Sequence, residues 1–66
     1  MSWSAKVGDK LINKLTGVTA TVTEVFQVDD YAILKIIRMI SDGGIKYSCL
    51  EEDLHKNWKR LNHAGN

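Results

Sequence analysis

Sixty-six residues with nine Lys or Arg against eight Asp or Glu leave a net charge of +1, so the whole chain carries no electrostatic footprint for nucleic acid or an anionic membrane. An apolar fraction of 44% and a charged fraction of 26% belong to an ordinary globular chain and exclude the polar, highly charged composition of disorder. One cysteine, Cys49, excludes an internal disulfide, and with only two histidines beside it no Cys/His zinc quartet can form.

Residues 1–66 are expected to make one domain. A domain this small buries only about 60% of its unfolded surface, so good packing or a partner must stand in for the missing covalent and metal staples. The opening MSWSAKVGDK lacks an apolar signal core, which gives an expectation of a cytoplasmic location. Trp3 stands alone in that polar leader. Large aromatics mostly bury, so it is expected to fold back over a core edge; the sharper reading is an exposed contact for a partner. Gly8-Asp9 is a turn signal introducing a first strand over residues 10–14, with Leu11, Ile12 and Leu15 as its apolar side. Residues 13–17, NKLTG, read as a loop. There is no proline, so the turns must use Gly, Asp and Asn.

Residues 18–28 show the clearest alternation. Val18, Ala20, Val22, Phe26 and Val28 share one parity, and Thr19, Thr21, Thr23 and Gln27 the other, as in a strand with one wet face. Glu24 and Val25 break the pattern, which predicts a β-bulge or bend at 23–25. Asp29-Asp30 supplies a tight turn. Residues 31–40, YAILKIIRMI, are the most apolar run in the chain and are interrupted only by Lys35 and Arg38. They read as a central strand antiparallel to 18–28. At about ten residues this run is half of what a membrane span needs. Apolar side chains fall on both parities, so both faces of this strand need cover. Ser41-Asp42-Gly43-Gly44 is a second hairpin turn, and residues 45–49 a short strand with Ile45, Tyr47 and Cys49 on one face.

The period then changes. Leu50, Leu54, Trp58 and Leu61 form a helical stripe, predicting a helix over about 49–61. Ser48 with Glu51 fits a capping box. Glu51, Glu52 and Asp53 crowd its start, and Lys56, Lys59, Arg60 and His63 its end, both of which suit the helix dipole. A helix this short must dock to be stable, either on the second apolar face of 31–40 or at an open end of the sheet. The predicted class is therefore mostly β: a small barrel or curled antiparallel sheet of four to five strands, with a C-terminal α-helix.

The run Val7-Gly8-Asp9-Lys10-Leu11, followed by Thr16-Gly17-Val18-Thr19-Ala20-Thr21-Val22, a strand, a Gly turn and another strand, resembles the SH3-like small barrels. These include the KOW-type modules, where a Gly-Asp turn precedes strand one and a Gly opens strand two. The ending Leu50-Glu51-Glu52-Asp53-Leu54-His55-Lys56-Asn57-Trp58 is similar to the helical tail of small phage and prophage barrel proteins. The resemblance covers about residues 7–61. It implies the fold, and a host protein as the kind of partner such a phage protein would modulate. It does not carry over a proline-rich ligand, because Trp3, Phe26, Tyr31, Tyr47 and Trp58 do not compose the aromatic groove of a signalling SH3 domain.

Catalytic patterns are missing from the sequence: no Ser/His/Asp spacing, no glycine-rich phosphate loop and no HExxH. His55 and His63, eight apart, lack a third ligand, so His55 reads as a solvated helix residue and no metal or cofactor is expected. Cys49 reads as an inert core thiol. The expectation is a non-enzymatic protein-interaction module. Its partner is another protein or a second copy of itself, because 31–40 carries more apolar surface than a small sheet can hide. The candidate partner contacts are Trp3, Tyr31, Lys35 and Arg38. The alternative is an RNA- or single-strand-binding barrel, in which Lys10, Lys14, Lys56, Lys59 and Arg60 hold phosphates and Trp58 stacks on a base. Against it, Trp58 belongs to the apolar stripe and the lysines complete the helix dipole.

Overall fold

A computed structural model describes residues 3–28 and 34–61. In chain order the elements are β1 (Lys10–Asn13), β2 (Thr19–Gln27), β3 (Lys35–Ser41), β4 (Lys46–Leu50), α1 (Glu51–Asn57) and β5 (Trp58–Arg60). The five strands form one antiparallel sheet in the order β4-β3-β2-β1-β5, which does not close on itself. The protein is thus mostly β, a curled sheet with one short helix near its C-terminus.

Local chemistry sets the corners. Gly8 has φ +96°, the positive value that the third position of a type II turn demands. Asp9 closes the same turn: its N–H donates to the Lys6 carbonyl and its carboxylate accepts from the Lys6 N–H. At the next corner the Asn13 side-chain oxygen accepts from both the Leu15 and Thr16 N–H groups, an Asx-type turn. Leu15 therefore projects from a loop and is 87% exposed, not on the apolar side of β1 as expected. The Asp29-Asp30 turn and residues 31–33 of the expected strand lie outside the described residues; β3 itself begins at Lys35.

The expected bulge is present. Val22 pairs with Met39 and Glu24 with Arg38, leaving Thr23 as the extra residue of β2. Side-chain parity switches there. Before it, Ala20 and Val22 face the core; after it, Val25 packs against the core while Phe26 turns out. On β3 the odd positions Ile37 and Met39 are buried, and Arg38 is exposed. The core consists of Ala5, Leu11, Ala20, Val22, Ile37, Met39, Leu54 and Trp58, with Trp3, Val18, Val25, Tyr47 and Cys49 packed around it. Burying each of the larger side chains contributes on the order of 1.5–3 kcal/mol.

The helix is shorter than expected. It stops at Asn57, and Trp58 is extended at φ −128°, ψ 152°. The physical reason is the far edge of β1, whose N–H and C=O groups need partners. Residues 58–60 supply them, pairing Asn13 with Trp58, Ile12 with Lys59 and Leu11 with Arg60. Trp58 still reaches the core, but from a strand, where its ring meets Tyr47 edge-on at 5.5 Å. Leu61 leaves the stripe and is 36% exposed. The Ser48–Glu51 capping box does not form: Leu50 is the N-cap, with no side-chain cap bond. Nor does the helix cover the second apolar face of β3. Leu54 is fully buried in the same core as Ile37, so α1 lids the open end of that core and leaves the outer face of the sheet uncovered.

Candidate interaction surface

Because the bulge switches parity, the outer face at the β2–β3 end collects apolar side chains from three strands. Phe26 pairs with Ile36, and Ile36 with Leu50. One step further along, the Val28 N–H donates to the Leu34 carbonyl, which puts Val28 and Leu34 on the same face. Phe26 is 38% exposed, Val28 52% and Leu34 40%, while Ile36 and Leu50 are half-buried. The next row is polar. Arg38 pairs with the Glu24 carboxylate at 3.3 Å and lies over the Phe26 ring at 5.1 Å. Thr23 donates its hydroxyl to the Arg38 carbonyl. An open groove of about 480 Å³ crosses this row, lined among others by Glu24, Arg38, Ile40 and Lys46.

Of the expected partner contacts, three fall among the described residues, and they divide between two places. Arg38 stands on the outer face. Lys35, on β3, and Trp3 instead line a smaller cleft of about 230 Å³ with Leu50, Glu51, Glu52 and His55. Trp3 folds back on the core, half-buried, with its ring edge-on to His55 at 4.8 Å and the Arg60 guanidinium over it at 5.5 Å. His55 is accordingly not a solvated helix residue; it is half-buried and hydrogen-bonded to the Trp3 carbonyl. Tyr31 and His63 lie outside the described residues.

Of the five expected phosphate contacts, four have partners within the chain. Lys10 meets Asp42 at 3.3 Å, Lys56 meets Asp53 at 3.7 Å, and Arg60 meets Asp9 at 4.0 Å. Lys14 donates to the His55 carbonyl at 2.9 Å. Lys59 is exposed on β5, opposite Ile12. Trp58 is buried and offers no face for stacking on a base.

Cys49 is half-buried on β4. Burial, reinforced by the nearby Asp53 carboxylate, pushes its thiol above the ordinary cysteine value, which disfavours the nucleophilic thiolate. Among the described residues no three His, Cys, Asp or Glu side chains gather as metal ligands, and no helix is long and apolar enough to cross a membrane.

Reading the sequence alone placed Phe26 and Val28 on the inner parity and missed the outer patch. The signal was present in the Glu24–Val25 break, because an extra residue at 23 reverses every side chain after it. In comparisons with known proteins, no family model, no curated protein and no solved structure matches this chain.

Proposed function

We propose that this protein is a non-enzymatic protein-interaction module that takes its partner on the outer face of the sheet at the β2–β3 end. The observation that carries the reading is the cross-strand row Phe26–Ile36–Leu50, exposed at Phe26 and half-buried at Ile36 and Leu50, beside an Arg38–Glu24 pair. An aromatic and aliphatic centre with a charged rim is the composition of a docking surface. The strand order, with a short helix between β4 and β5, supports assigning the fold to the SH3-like small barrels. A phage origin and a host protein as partner rest on the resemblance of residues 50–58 alone.

The test is capture on the immobilised protein, identification of the partner by mass spectrometry, and titration of the purified pair. Phe26→Asp and Arg38→Glu should each weaken binding at least about tenfold, or about 1.4 kcal/mol, with the thermal midpoint little changed. Binding that is indifferent to both substitutions would overturn the assignment of the surface. Salt-sensitive retention of single-stranded RNA, lost in Lys59→Glu, would instead favour the nucleic-acid alternative.

A further inference from the structure

The sheet ends at β4, and the direction of its backbone groups can be worked out. The Ser41 N–H donates to the Ile45 carbonyl at 2.8 Å. From there the register Met39↔Tyr47 and Ile37↔Cys49 turns the N–H and C=O of Tyr47 and Cys49 toward β3, because alternate residues of an antiparallel strand face opposite sides. Lys46, Ser48 and Leu50 therefore present theirs to the free edge. Among the described residues no further strand pairs with that edge, and Lys46 and Ser48 are exposed.

We infer that a second copy of this chain docks on β4, strand against strand, about a two-fold axis through Ser48. An antiparallel seam centred there sets Ser48 opposite its own counterpart and Lys46 opposite the second copy's Leu50. Every outward-facing group then meets an outward-facing group. The two Ser48 residues exchange two backbone hydrogen bonds. Each Leu50 N–H donates one more to the opposite Lys46 carbonyl; the Leu50 carbonyl, at the N-cap of α1, already belongs to the helix.

The side chains are self-complementary in the same register. On the core side, Tyr47 falls opposite Cys49 of the second copy. Both are half-buried here, and a neighbouring strand covers what the open edge leaves wet. On the outer side, the Lys46 stem lies against Leu50, and its ammonium comes beside the acidic first turn Glu51, Glu52, Asp53. Neither Lys46 nor Glu52 has an ion-pair partner among the described residues. An exposed lysine ordinarily deters edge pairing; in this register it meets opposite charge. The strand is short, five residues, so the seam is small and the dimer a reversible one.

Sedimentation equilibrium on the full chain from about 5 μM to about 1 mM tests the inference. The apparent mass should rise from 7.4 kDa toward twice that value. A monomer across the whole range overturns it. Ser48→Pro removes one outward N–H and no β3 bond, as edge prolines do. It should keep the cooperative melt and abolish the rise in mass, while a dimer that persists in this folded variant also overturns the seam.

Should the proline variant fail to fold, cysteine trapping decides. In a Cys49→Ser background, Ser48→Cys places two thiols about 5.5 Å apart between Cα atoms, within disulfide reach. Lys46→Cys places them roughly 14 Å apart. With oxidised glutathione accepting the two electrons and the two thiol protons to leave as two reduced glutathiones, only the first variant should cross-link. Cross-linking of both, or of neither, overturns the register. Phe26→Asp, which tests the outer face, should leave the dimer unchanged, so the two proposals fail separately.

Discussion

Asp42 ties the β3–β4 turn to two strands at once. Its carboxylate accepts from the Thr19 hydroxyl and the Lys10 ammonium, and its N–H donates to the Thr19 carbonyl. The hydroxyl first, and then the ammonium, hold the carboxyl below its ordinary value, since both favour the ionised form. A group whose folded pKa is depressed contributes stability above its unfolded pKa and loses it as pH falls through the folded value. Denaturation followed from about pH 5 to about pH 2 should therefore show a smaller acid loss in Asp42→Asn than in the natural chain. Parallel curves would show that the carboxylate is no better held in the fold than in the unfolded chain. Exposed ion pairs contribute little, so the effect expected is a change of slope, not a collapse. Residue-level chemistry of this kind was only partly legible in the sequence. Asp42 was recognisable as a turn residue, but its partners at positions 10 and 19 come from other strands. Likewise, nothing local announces that His55 bonds to the Trp3 carbonyl, a contact spanning most of the chain.

Elements were more legible, because each strand carries its own period. Alternation located β2, the Gly turn located the β3–β4 hairpin, and the break at Glu24–Val25 located the bulge. Turn chemistry also supplies a test at this scale. Gly17 has φ +75°, and a Cβ added there would meet nothing within 4 Å. Gly17→Ala should thus cost only the backbone penalty, about 1–2 kcal/mol, read as a lower urea midpoint. D-alanine at the same position should recover the loss. A loss of the same size with D-alanine would place the cause in crowding and not in handedness. Where sequence reasoning went wrong, two periods fitted the same residues. Leu50, Leu54 and Trp58 stand at helical spacing, and a seven-residue helix followed by an extended Trp58 buries Leu54 and Trp58 as well as one long helix would. The choice between them lies with β1, whose unpaired edge is not visible from residues 50–61.

At the scale of the molecule, the consequence is that β5 joins the two ends of the chain. Its ladder to β1 runs from the Lys14 N–H on the Asn57 carbonyl to the Leu61 N–H on the Lys10 carbonyl, at 2.8 Å and 2.9 Å. With the pairing of Ile12 and Lys59 between them, residues 57, 59 and 61 face β1, while Trp58 and Arg60 direct their N–H groups away. Proline can therefore separate the ladder from the side chains. Lys59→Pro removes a bonded N–H and leaves the Ile12 carbonyl unpaired, a loss of about 1–3 kcal/mol. Arg60→Pro removes an outward N–H, together with the Arg60 contacts to Asp9 and Trp3, of which the ion pair, 4.0 Å long and partly exposed, is weak. The thermal midpoint should consequently fall further for Lys59→Pro, although that substitution deletes a side chain with no ion pair among the described residues. A larger fall for Arg60→Pro would mean that the terminal segment is held by its guanidinium rather than by its backbone. The open sheet would then depend on Trp3 and Arg60 to cover its core, and not on a fifth strand.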